Sequence, residues 1–252
     1  MSQLILAGAL AILIGLSLGM LGGGGSILTL PILVYVLGVD PKTAIASSLF
    51  VVGTTSLVSL IPHAKAKRVR FQTGFVFAIP AMIFAGIASK LIAPHVNARI
   101  LLGAFAVLML VTATNMIRGR KATTEEAAPK PLPYLLGIGA LAGFIAGMVG
   151  AGGGFIVVPA LALVAGLPMS EAVATSLLVI ALQSAVAFIG ARASLVVPIP
   201  WTLVGVIASS AIVGSLIGAR LVPYVKPETL RKSFGVFVLF MGVFQLAKNL
   251  MT

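Results

Sequence analysis

The chain has 252 residues, of which 60% are hydrophobic and 9% charged, with a mean hydropathy of +1.18. A soluble globule needs far more polar surface, so the composition specifies an integral membrane protein and the lipid bilayer as its surroundings. A formal net charge of +12 would point a soluble chain toward nucleic acid, but here the basic residues sit in short runs between apolar segments, the positive-inside pattern of a membrane protein. Nucleic acid is excluded as a partner, and the absence of cysteine excludes disulfides and thiolate chemistry while leaving the compartment open.

Taken in order, apolar segments are predicted near 4–21, 27–38, 44–61, 73–93 and 100–117. A polar linker, Arg118 to Lys130, follows, and then segments near 133–149, 155–166, 172–190, 200–222 and 233–250. All read as helices by length and composition, and no ten-residue alternation of a transmembrane barrel is present, so the fold class is all-α. The first segment is hydrophobic enough for a signal sequence but lacks a basic leader, so it is expected to stay in the mature, multi-pass cell-membrane protein. The division is a first membrane repeat over 1–117, a cytoplasmic linker over 118–132 and a second repeat over 133–252.

The repeats are visible directly. Residues 19 to 56 and 147 to 184 align without a gap at an offset of 128, with 15 identities in 38 positions. In each copy a glycine cluster interrupts apolar sequence: Gly22, Gly23, Gly24 and Gly25 before Ser26 in the first, and Gly150, Ala151, Gly152, Gly153 and Gly154 in the second. No charge occurs from Met1 to Val39 or from Pro131 to Ser170. Each stretch is about twice the roughly 20 residues of one span, so each must fold back or break. The second segment of each unit, 12 residues or about 18 Å of helix, reads as a half-helix returning in a hairpin.

Hairpins imply units of opposite orientation. With the His63–Arg70 loop inside, the inverted arrangement puts 12 basic residues inside and 5 outside, whereas parallel units would give 10 and 7. Inversion also explains why the basic 63–70 loop matches a 191–198 loop holding only Arg192.

A helix that starts after a glycine break points unpaired N–H groups into the gap, and its dipole favours negative charge. Two such starts, at Ser26–Ile27 and Gly154–Phe155, are expected to face each other near the midplane and to hold a small anion. Close packing is the competing role for the glycines. Pro31 and Pro159, five to six residues past each break, read as structural. On the third segment of each unit Ser47, Ser48, Thr55 and Ser56 match Thr175, Ser176, Gln183 and Ser184. Spacings of seven and eight put each set on one helix face, as a lined pathway or as packing glue. Asn115 and Gln245 are a weaker matched pair.

The five acids, Asp40, Glu125, Glu126, Glu171 and Glu228, all lie outside the middles of apolar segments, so the usual carboxylate coupling device is missing. Lys42, Lys90, Arg192 and Arg220 near segment ends read as snorkelling groups. His63 and His95 read as loop residues supporting no metal site. No cofactor and no catalytic set is expected.

With its paired stretches GLSLGMLGGGGSILTLPIL and GFIAGMVGAGGGFIVVPAL, followed by TAIASSL and EAVATSL respectively, an A-x-A-[ST]-S-L pattern, the chain resembles the sulfite exporter TauE/SafE family over essentially its whole length. That resemblance implies a transporter, often an exporter, of sulfite, sulfonates or related small sulfur-containing anions. It places the family's glycine motifs on Gly22, Gly24, Gly25, Gly150, Gly152 and Gly153, with Gly23 answered by Ala151. The expectation is an all-α carrier for a small oxyanion, moving net negative charge outward. A non-transporting membrane scaffold or assembly factor is the alternative.

Overall fold

The computed structural model describes residues 2–118, 132–149, 154–193 and 195–251. It contains ten helical segments and, among the described residues, no strand. The first half holds α1 (Ser2–Leu21), α2 (Gly24–Pro31, continued as a π-helical turn over Ile32–Val36), α3 (Pro41–Lys65), α4 (Phe71–Ile87, extended to His95) and α5 (Ala98–Arg118). The second holds α6 (Leu132–Val149), α7 (Gly154–Pro159, with Ala160–Val164 π-helical), α8 (Met169–Arg192), α9 (Trp201–Leu221, extended to Tyr224) and α10 (Pro227–Met251). Seven of them are long and apolar enough to cross a membrane: α1, α3, α4, α5, α8, α9 and α10. Most of the linker and residues 150–153 of the second glycine cluster lie outside the described residues.

Local chemistry sets these boundaries. Asp40 caps α3, its carboxylate accepting the Thr43 N–H at 3.0 Å, and Pro41 occupies the first turn, where a missing N–H costs nothing. Pro31 and Pro159 stand where the α-helical turns of α2 and α7 widen into π turns. A proline cannot donate the next ladder bond, and wider bonds take over, Leu37 N–H to Ile32 O and Ala165 N–H to Ala160 O. Both half-helices then end on a glycine with positive φ, Gly38 at 66° and Gly166 at 74°, again at the repeat offset.

Contacts at the helix ends give the course of the chain. Lys42 Nζ donates to Pro94 O at 2.7 Å, which puts the start of α3 beside the end of α4. Leu4, Leu37 and Trp201 line one cavity, so α1 starts, α2 ends and α9 starts close together. Thr43 Oγ1 donates to Val197 O at 3.4 Å, which places the α8–α9 loop at this same end. At the opposite end Arg70, before α4, pairs with Glu171 in the first turn of α8. Thus α3 leaves the Lys42 end while α8 arrives at it, and α4 and α9 run oppositely in the same way.

The halves interlock. Helix α1 packs parallel to α9, Gly8, Gly15 and Gly19 lying against Ser210, Ala211 and Ser215. Helix α6 packs parallel to α4, Gly139, Gly143 and Gly147 against Phe77, Ala81 and Ala85. These seams are small-xxx-small stripes, which let backbones approach where lipid leaves packing as the main cohesive force. Helices α5 and α10 pair antiparallel, Gly103 near Asn249 and Gly235 near Ile117. Among the described residues, the main helix pairings between the halves, α1 with α9 and α6 with α4, α3 with α9 and α8 with α4, α2 with α10 and α7 with α5, recur when the halves are exchanged, and α3 against α8 forms the centre.

Candidate functional site

The first glycine break is a chain reversal. Helix α1 stops at Leu21, Gly22 takes a φ of 70° while its N–H bonds Leu18 O at 2.8 Å, and the Gly23 N–H bonds Leu21 O at 2.8 Å. Helix α2 then folds back along α1: a side chain at Gly25 would meet Ile14 O at 2.6 Å, a contact that a continuous helix could not make between residues eleven apart. Gly22 also lies against the other half, where a Cβ would meet Ser176 Oγ at 2.5 Å, Val158 Cγ2 at 3.0 Å and Val173 O at 3.1 Å. Gly22, Gly23 and Gly25 are all buried; Gly22 and Gly25 are tightly packed, and Gly22 and Gly23 lie between the helices.

The half-helices α2 and α7 meet across the two halves. Gly22 touches Val158, four residues or roughly 6 Å along α7 from Gly154, so α2 and α7 pass side by side. Gly150, Ala151, Gly152 and Gly153 lie outside the described residues, as do the side-chain surroundings of Gly24 and Ser26.

All eight residues of the polar stripes are buried, at 0–1% exposure. The helices carrying them cross where a Cβ on Gly53 would lie 3.3 Å from Ser184 Cβ, which puts Thr55, Ser56, Gln183 and Ser184 at the centre of the molecule. Their chemistry divides them. Ser48 Oγ and Ser176 Oγ donate back to Ile45 O and Val173 O, both at 2.8 Å, and Thr175 Oγ1 accepts the Arg70 N–H at 3.0 Å. By contrast, the hydroxyls of Ser47, Thr55, Ser56 and Ser184, and of Ser59 one turn further along α3, have no hydrogen-bond partner among the described residues. Gln245 is buried too and donates to Tyr35 Oη at 3.1 Å, tying α10 to α2, whereas Asn115 is exposed.

His63 is a correction. It belongs to the last turn of α3, is 1% exposed, and its Nε2 lies 3.1 Å from Gly19 O in the last turn of α1, just before the break. Pro62 and the basic run after it suggested a loop, but a proline there removes only one ladder bond and the helix continues to Lys65. His95 is exposed beyond α4. With Thr55, Ser56 and Ser59, His63 continues a strip of helical spacing from the crossing to the break. At the repeat offset Ala187 and Ala191 replace Ser59 and His63, so the strip is polar toward the Arg70 end only.

The Arg70 end is also clasped. Arg70 grips Glu171 with Nε at 2.7 Å from Oε2 and Nη2 at 2.8 Å from Oε1, joining the α3–α4 loop of one half to α8 of the other. The matched positions at the Lys42 end are Pro198 and Thr43, which cannot form an ion pair.

A model of the family described as sulfite exporter TauE/SafE matches residues 7–244. A Xylella fastidiosa protein named "Probable membrane transporter protein" is 31% identical over 248 residues, covering 94% of this chain and 92% of its own. A Methanocaldococcus jannaschii protein with the same description is 29% identical over 260 residues, covering 94% of each chain. One from Bacillus subtilis is 29% identical over 208 residues, covering 71% of this chain and 72% of its own. No solved structure matches the chain.

Proposed function

Because the chain belongs to the sulfite exporter TauE/SafE family, and is thus a multi-pass membrane protein of a transporter family, we propose that it exports a small sulfur-containing oxyanion such as sulfite. Two inverted repeats carry the anion between them, past the glycine break at Gly22–Gly25 and its counterpart at Gly150–Gly154, and along the hydroxyls at the α3–α8 crossing. Opposite courses of matched helices support the inversion, and the basic runs at Lys65–Arg70 and Lys226–Lys232 support an inward-facing Arg70 end.

The observation that carries this reading is the set of buried hydroxyls at the crossing. Helical serines and threonines normally bond back to a carbonyl one turn earlier, as Thr54 does to Phe50 O at 2.8 Å. Thr55, Ser56 and Ser184 do not, although leaving each unsatisfied costs about 1–3 kcal/mol. A scaffold gains nothing from that cost. A passage for water and an oxyanion gives those donors partners during transport.

Purified protein in liposomes is expected to release loaded sulfite faster than protein-free vesicles do. Gly24→Leu and Gly152→Leu, at matched amounts of folded protein, are expected to abolish the difference. Flux at the protein-free rate would leave the scaffold reading standing, and wild-type flux in both variants would return the glycines to packing.

A further inference from the structure

The buried imidazole at the edge of the first glycine break is a titratable group for which neither the fold nor the hydroxyl strip accounts. Carbonyl oxygens only accept, so the 3.1 Å contact to Gly19 O fixes the proton of the neutral ring on Nε2. Nδ1 then carries a lone pair, and it is buried without a partner among the described residues. The repeat itself has no need of this side chain, since Ala191 fills the matched place on α8. Lying where the polar strip meets the break, the ring is placed to act on whatever passes between them.

We propose that His63 makes anion binding at the first break proton-linked, its Nδ1 taking up one proton from the Arg70 end and presenting the new N–H and positive charge to the oxyanion. The inference rests on the transport reading above and adds the coupling group that the carboxylate inventory lacks. No bond other than Nδ1–H forms or breaks, and the proton leaves with the anion or returns to the side it came from. The charged surroundings suit this role. Arg68 is the ionised neighbour acting on the ring, with Lys65 and Lys67 exposed on the same turn. Helix α1, which supplies Gly19, has no charged residue from Ser2 to Leu21, and α2 has none either. On α8 the group at this end is Glu171, already held by Arg70, and α9 ends in exposed Arg220. With cations around it and, among the described residues, no free carboxylate facing it, the protonated ring is favoured when an anion is present to offset the repulsion, and by linkage the anion is favoured when the ring is protonated.

The chain has two histidines, so exposed His95→Gln leaves His63 as a single nuclear probe in the full-length protein, embedded in lipid nanodiscs and labelled with 15N-histidine. The neutral ring is expected to show Nε2 protonated and Nδ1 bare. Saturating sulfite is expected to raise its titration midpoint by about half a unit or more, equivalent to roughly three-fold or greater tightening on protonation. A ring with the opposite tautomer, one that does not titrate between about pH 5 and 8, or a midpoint indifferent to sulfite overturns the proposal. In proteoliposomes at clamped potential, an imposed pH gradient is expected to change wild-type sulfite flux several-fold, while His63→Gln, which keeps a donor for Gly19 O, loses that response. Both proteins meet the same sulfite and bisulfite mixture, so the difference belongs to the ring. Wild-type flux equal to that of protein-free vesicles would mark failure of the transport reading; normal flux with an unshifted midpoint would mark failure of the proton linkage alone.

Discussion

Among single side chains, Ser56 separates the two roles that a buried hydroxyl can play. If Ser56 were an interhelical hydrogen-bond donor, alanine would leave a partner unsatisfied and cost about 1–2 kcal/mol. Its oxygen has no partner among the described residues, so removing it deletes an orphan polar group instead. Ser56→Ala is expected to leave the thermal midpoint unchanged or slightly raised while sulfite flux falls several-fold, a combination that thermal melting and vesicle efflux measure on one preparation. A lowered midpoint with unchanged flux would make the hydroxyl structural. Gly22→Ala is expected to behave oppositely, lowering stability by about 1–3 kcal/mol, because a Cβ there meets Ser176 Oγ and Val173 O on a backbone already at positive φ.

Helix pairs, rather than single residues, hold the halves together, and their seams make a sharp comparison. On α6 a Cβ at Gly143 would run into the backbone of Ala81, whereas at Gly137, on the same helix, it meets nothing within 4 Å. Gly143→Ala is therefore expected to cost about 1–3 kcal/mol through forced separation of α6 from α4. Gly137→Ala is expected to be neutral or to stabilise by up to about 1 kcal/mol, from helix propensity. Thermal melts of the two variants in one detergent check the pair, and equal midpoints would deny the seam. The half-helices, the first glycine break and the matched prolines were legible in the sequence, because a duplicated sentence marks each half. The seams were not, since Gly139, Gly143 and Gly147 are three of 28 glycines and nothing local says that α6 packs on α4 of the other half. The side-by-side course of α2 and α7 was hidden for the same reason: it depends on Gly22 meeting Val158 across the chain. His63 was misjudged locally, where Pro62 and a basic run imitate a helix end.

Over the whole molecule, the proposed opposite orientation of the halves has electrical and topological consequences that one preparation can test. Ala66 follows α3 at the Arg70 end, Ala193 follows α8 at the Lys42 end, and both are exposed in a chain without cysteine. Single cysteines at these sites are expected to react with an impermeant maleimide from opposite faces of the membrane, and labelling of both from one face would mean parallel repeats. The face carrying Lys65, Lys67, Arg68 and Arg70 is then expected to be the cytoplasmic one, where its positive field gathers anions at the entrance to the strip. From that side an interior-negative potential drives each net negative charge outward with about 2.3 kcal/mol per 100 mV, roughly a fifty-fold concentration ratio. Sulfite as a dianion accompanied by one proton on His63 still carries one negative charge out, so the proton linkage and electrical drive act together. With pH equal on both sides, an interior-negative potential of about 100 mV set by potassium and valinomycin is expected to accelerate sulfite efflux, and reversing its sign to slow it. Efflux unchanged by either sign, yet governed by a proton gradient, would mean that charge is fully neutralised during transport, and the stoichiometry would have to be one proton for each negative charge on the anion.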